Sequence, residues 1–149
     1  NVLYQMKEAE RMAPVTLRLI QISPNSSDSW QMHAGYWQLR QRSEADPAKK
    51  KAYEDSLLSA IKSRDGVNPK ISIFAAAKAG NTYQIQGNLS NESDKAASYT
   101  LKFELLDETG AVVGTKDVAV GPVDASASAA FSLKVDGPKI VAYRYAPLK

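Results

Sequence analysis

A mixed α+β chain, with helical hairpins followed by a small antiparallel β-sandwich, is predicted by three observations. Up to about Arg64 the apolar residues recur at helical spacing, with few β-branched runs. From Lys70 onward they alternate in twos, as in strands with one buried face. Turn-forming residues then punctuate the second half at the short intervals of an antiparallel fold. The boundary lies at Asn68 and Pro69, giving a helical region over 1–68 and a sandwich over 69–149.

In the first region Val2, Met6, Ala9 and Ala13 share one stripe, which Leu17, Leu19 and Ile20 continue to Ser23-Pro24-Asn25. Pro14 either kinks one helix or begins a second, because proline has no N–H for an interior helical bond. Asp28 or Ser29 is the expected cap of the next helix, whose buried face is Trp30, Ala34, Trp37 and Leu39. Pro47 suits the first turn of a further helix with Tyr53, Leu57, Ala60 and Ile61 on one side, and Asp65-Gly66-Val67-Asn68-Pro69 ends it.

Beyond Lys70, Tyr83, Ile85, Gly87 and Leu89 alternate with Gln84, Gln86 and Asn88. Tyr99, Leu101, Phe103 and Leu105 alternate with Thr100, Lys102 and Glu104, and Phe131, Leu133 and Val135 with Ser132 and Lys134. Further strands are expected over 71–77, 112–120 and 140–145. The expected turns are Gly80-Asn81, 91–94, Glu108-Thr109-Gly110, Gly121-Pro122 and Asp136-Gly137-Pro138.

The sequence has 149 residues, 44% hydrophobic and 23% charged, as in chains that bury a core. No apolar run approaches the ~20 residues of a membrane-spanning helix. Asn1 opens the chain without an initiator Met, so a signal, anchor or further domain is expected upstream, and membrane contact only through such a segment. Cysteine is absent, which removes disulfides and thiolate chemistry. A net charge of +3, spread evenly over both regions, argues against nucleic acid as a partner.

Trp30, Ala34 and Trp37, followed by Leu57, Ala60 and Ile61, resemble a degenerate tetratricopeptide unit, with Pro24 where such repeats place their terminal proline. His33 stands at a position usually apolar in that family, and the segment 42–49 is longer than its connection. Phe103-Glu104-Leu105-Leu106-Asp107 and Glu108-Thr109-Gly110, preceded by 85–91 and Ser93-Asp94-Lys95, are similar to the bacterial FxLYD β-sandwich family over about 71–146. Leu106 replaces the family's Tyr. This resemblance implies an immunoglobulin-like, non-enzymatic module of extracytoplasmic bacterial proteins, in the periplasm or cell envelope, with no assigned catalytic residues.

The residues themselves offer little chemistry. One histidine, His33, cannot complete a hydrolase triad from a helix flanked by tryptophans. No cysteine, second histidine or interleaved Asp/Asn loop points to a metal, Asp107-Glu108 reads as a turn, and no cofactor is implied. Lys49-Lys50-Lys51 reads as a solvated face, and Gly87 inside a strand marks a bulge or close backbone approach. Asn25-Ser26-Ser27, Asn88-Leu89-Ser90 and Asn91-Glu92-Ser93 fit the glycosylation sequon.

The expected function is therefore a scaffold or binding module, not an enzyme. Its helices would cap a longer repeat array with the sandwich docked beside them, and a protein or peptide would bind near Tyr36, His33 and Arg40 or along a sheet edge. Tyr36 is the preferred contact because it lies off the Trp30, Ala34, Trp37 stripe. Two alternatives are a carbohydrate or cell-wall binder using Tyr143 and Tyr145 as a platform, and an accessory region of a larger enzyme.

Overall fold

The computed structural model describes residues 8–148, and the chain divides between Val67 and Asn68 into two compact units. Helices form the first unit and strands the second, so the fold is mixed α+β. Val2 and Met6, placed on the first helical stripe above, lie outside the described residues.

The helical unit contains α1 (Ala9–Ile22), α2 (Ser27–Ser43) and α3 (Pro47–Asp65). Pro14 sits inside α1, so it starts no second helix. The α2 cap is Ser26, whose hydroxyl accepts from the Ser29 amide at 3.4 Å, a few residues before the expected Asp28 or Ser29. Asp46 caps α3 by accepting from the amides of Ala48 and Lys49, and Pro47 occupies the first turn, where its missing N–H costs nothing.

Cross-contacts fix the helix directions. Thr16 meets His33 and Glu10 meets Arg40, so α1 and α2 run antiparallel. Arg40 meets Tyr53 and Arg64 meets Gln31, so α2 and α3 do too. These last two pairs bracket Ala34 and Ala60, small residues that are both 3% exposed.

The strand unit has six strands among the described residues: β1 (Lys70–Ala79), β2 (Thr82–Ser90), β3 (Ala97–Leu106), β4 (Val112–Val123), β5 (Ser128–Asp136) and β6 (Ala142–Tyr145). They make two antiparallel sheets, ordered β1-β2-β5 and β4-β3-β6. Alternate residues of both sheets fill one core, including Ile71, Tyr83, Ile85, Leu89, Phe131 and Leu133 from the first, and Leu101, Phe103, Leu105, Val120 and Tyr145 from the second. Period-two burial drives this arrangement, since each sheet is apolar on one face and must cover it.

Two local features depart from the expected pattern. Gly121-Pro122 is not a turn: it lies within β4, and the chain reverses at Asp124-Ala125-Ser126, closed by the Ala127 amide on the Asp124 carbonyl at 3.1 Å. A proline is accommodated there because β4 is an outer strand. In β1 the register with β2 shifts between Ile73 and Ala75, leaving Phe74 outside the ladder and 63% exposed.

Candidate functional site

The ring-bearing side chains of α2 and α3 converge at one place. His33 lies within 6.2 Å, centroid to centroid, of Trp30, Tyr36 and Trp37, stacked on Tyr36 and edge-on to both tryptophans. Trp37 in turn packs 5.8 Å from Tyr53, and the Arg40 guanidinium sits 5.0 Å above the Tyr53 ring while Nη2 donates to its hydroxyl at 2.8 Å. Spacing of three and four residues along α2 is what brings these groups onto neighbouring positions of the helix surface.

Although polar, His33 is buried. Trp37 Nε1–H donates to His33 Nε2 at 3.1 Å, and Thr16 Oγ1 lies 3.1 Å from Nδ1. An indole nitrogen can only donate, so Nε2 accepts and the ring proton resides on Nδ1. Nδ1–H then donates to Thr16, whose own hydroxyl donates to the Ala13 carbonyl at 3.3 Å. The histidine is thus neutral, and burial pushes its pKa below the ordinary value.

Beside this network runs a groove of about 430 Å³ between α2 and α3, lined by Trp30, His33, Trp37, Asp55, Ser56, Ser59 and Ala60. Asp55 is held by Lys51 at 2.8 Å on the exposed surface. Trp30 is fixed by its own bond, Nε1–H to the Pro24 carbonyl at 2.9 Å.

Of the residues expected to bind a partner, only His33 borders this groove. Arg40 lines a separate depression with Glu8, Ala9, Glu10, Arg11 and Ser43, and its guanidinium is engaged by Tyr53 and by Glu10 at 3.6 Å. Tyr36 is not among the groove-lining residues; it is half-buried, stacked on His33 and 4.7 Å from Trp37. Helix α2 packs on both α1 and α3, so a residue off the Trp30, Ala34, Trp37 stripe is not thereby turned to an open groove. Trp30, Trp37, Asp55, Ser56 and Ser59 went unrecognised as a group because they are joined only by the antiparallel register of α2 and α3.

Tyr143 and Tyr145 do not form an exposed platform. Tyr145 is 2% exposed, and both rings stand edge-on to Phe103, at 6.1 and 5.8 Å, in the sandwich core. Burial raises the pKa of the Tyr143 phenol. Inward alternation on β6 is the reason: this face covers the core.

At one end of the sandwich Asn91, fully buried, joins four segments. Its Nδ2 donates to the carbonyls of Lys95 (2.7 Å), Val123 (3.0 Å) and Asp124 (3.2 Å), and its Oδ1 accepts from the Ser93 amide, the Ser93 hydroxyl and the Tyr99 hydroxyl. In the folded state this amide is closed to glycosylation, so the Asn91 sequon serves as a fastening.

At the other end a depression of about 340 Å³ is lined by Asp107, Glu108, Thr109, Pro138, Lys139 and Val141. Asp107 Oδ1 accepts from the Thr109 hydroxyl and from the amides of Thr109 and Ala111, which holds the carboxyl below its usual pKa, the hydroxyl bond being the largest cause. Gly110, at φ 83°, completes this turn. No group of three or more His, Asp or Glu side chains that could hold a metal occurs among the described residues, and none of their helices is long and apolar enough to cross a membrane.

No family model matches the chain, and no curated protein matches it. Among solved structures it is similar to a DUF1425 family member from Shewanella sp. pv-4, at 14% identity and a TM-score of 0.43, covering 54% of this chain and 76% of that one. It is also similar to IrmA from Escherichia coli, at 19% identity and a TM-score of 0.38, covering 51% of this chain and 70% of that one.

Proposed function

We propose that this chain is a non-catalytic interaction module of an extracytoplasmic bacterial protein, and that its helical unit binds a peptide segment in the α2–α3 groove. The observation that carries this reading is that both tryptophans of the chain wall the groove. Tryptophan combines a large apolar face with an N–H, the combination enriched where proteins grip a partner. Asp55, Ser56 and Ser59 supply polar groups along the same channel.

The occupant suited to this lining is a peptide with one aromatic or aliphatic anchor beside a cationic side chain. The anchor packs between the rings, and the cation competes with Lys51 for Asp55, an exposed pairing worth little to the free protein. Successive antiparallel helices with buried alanines on α2 and α3 support a tetratricopeptide-like ancestry for this unit. Strand orders β1-β2-β5 and β4-β3-β6 support an immunoglobulin-like, FxLYD-type sandwich, since they follow the A-B-E and C′-C-F neighbours of that architecture.

Selection of a phage-displayed peptide library against the intact chain at neutral pH tests the reading. Enriched peptides should bind saturably, lose at least tenfold in affinity on Ser59→Arg, which obstructs the groove from an exposed helical position, and tolerate Arg40→Gln. Equal binding to the Ser59→Arg protein would refute the groove. Saturable sedimentation with peptidoglycan, unaffected by that substitution, would favour a wall-binding role instead.

A further inference from the structure

We propose that His33 is a pH-sensitive latch on the α2–α3 groove: proton uptake at Nε2 breaks its bond to Trp37 and releases the tryptophan that forms one wall. This rests on the reading of that groove as the binding site.

The geometry admits no alternative response at Nε2. In the imidazolium both ring nitrogens carry hydrogen, so two N–H groups would face one another across 3.1 Å. At Nδ1, by contrast, the hydrogen-bond direction is unchanged, because Nδ1–H already donates to Thr16. Protonation therefore leaves the ring tied to α1 and frees it from Trp37. His33 is buried and still tied to Thr16 whereas Trp37 is half-exposed, so it is the indole that turns away, and the groove loses its shape.

The surroundings decide how the charged ring is received. From α1 the group in contact is the uncharged Thr16 hydroxyl, while Glu10 is paired with Arg40, Arg11 with Glu8, and Arg18 with Gln21. On α2, Tyr36 stacks on the imidazole and Arg40 is directed to Tyr53. On α3, Asp55 lines the same groove as His33 and is the carboxylate placed to attract an imidazolium once Trp37 has moved. Lys51, paired with Asp55 and near Glu54, competes for it. Burial favours the neutral ring, which puts the transition on the acid side of histidine's ordinary range.

One histidine and two tryptophans in the whole chain make the test direct. On the intact, ¹⁵N-labelled protein, the indole N–H resonances and the His33 ring protons are followed from pH 8 to pH 4.5, with far-UV circular dichroism as a check on folding. The Trp37 indole signal should shift in a one-proton transition whose midpoint coincides with that of His33 and lies below about 6.5. The Trp30 indole, bonded to the Pro24 carbonyl, should stay in place, and His33→Gln should abolish the Trp37 transition. A Trp37 signal that does not move while His33 titrates, or that moves equally in His33→Gln, would overturn the latch; the first comparison needs only the unmodified protein. Selected peptides should bind at least tenfold more weakly at pH 5 than at pH 7.5, and equal affinity would also overturn it. A Trp37 transition in a protein that binds no peptide at pH 7.5 would support the latch and refute the groove reading alone.

Discussion

Gly87 and Phe131 stand opposite one another on β2 and β5, with the ring of Phe131 lying over the glycine. A Cβ at position 87 would fall 2.6 Å from Phe131 Cζ and 2.7 Å from the Ser72 carbonyl oxygen. The Phe131 side chain can yield, but the backbone of β1 behind it cannot without breaking register. Gly87→Ala should therefore destabilise the strand unit by about 1–3 kcal/mol, the usual cost of overpacking. Urea denaturation followed by circular dichroism measures this, and Phe131→Leu should recover only the part due to the ring.

Asn91 should be the least replaceable polar residue of the sandwich. Asn91→Ala removes bonds worth about 1 kcal/mol each and strands buried carbonyls, for a loss of about 3 kcal/mol. Asn91→Asp keeps the shape but removes every N–H offered to Lys95, Val123 and Asp124, so it should be at least as damaging. Thermal unfolding of the two variants beside the parent gives the comparison.

Acidification should weaken the helical unit through His33. The folded pKa lies below the unfolded value of about 6.5, so the unfolded chain takes up its proton first as pH falls. This contribution is fully present above about pH 6.5 and declines below it, reaching its full loss once pH is under the folded pKa. Tryptophan-detected urea midpoints at pH 7.5 and pH 5 should differ in that direction, and His33→Gln should remove the histidine's share. Thr16→Val, which leaves Nδ1–H without its acceptor, should cost about 1–3 kcal/mol at either pH.

Tyr53 and Arg40 interact at the half-exposed end of the α2–α3 pair. Tyr53→Phe keeps the ring beneath the guanidinium and removes only the hydroxyl, whereas Tyr53→Ala removes both and exposes Trp37. The first should cost about 0.5–1 kcal/mol and the second distinctly more. Comparing their unfolding midpoints separates the hydrogen bond from the ring contact.

Strands were more legible in the sequence than the helical site. Tyr83 through Leu89 and Tyr99 through Leu105 alternate without interruption, and burial in a two-layer sandwich imposes that period directly. Asp107 and Gly110 were likewise readable, because a turn is built from its own residues. Helix α2 was harder: His33 and Ser29 are polar yet buried, while Trp30 and Trp37 are apolar yet half-exposed along a channel. Hydrophobic periodicity records what favours burial, and it cannot show that a histidine has been given a donor on one side and an acceptor on the other. Gly121-Pro122 misled for a related reason, since turn chemistry is also what an outer strand uses to bend.

Phe74 gives the outer strand β1 a consequence for behaviour at high concentration. A straight, fully regular border would offer its spare amides and carbonyls to a second copy of the chain, and copies could add end to end. With one residue looped out of the ladder at 73–75, that border is broken into two stretches out of phase with each other, which makes it a poorer template for a neighbour than a regular strand of the same length. The exposed phenyl ring of Phe74 accompanies that break in the outer strand.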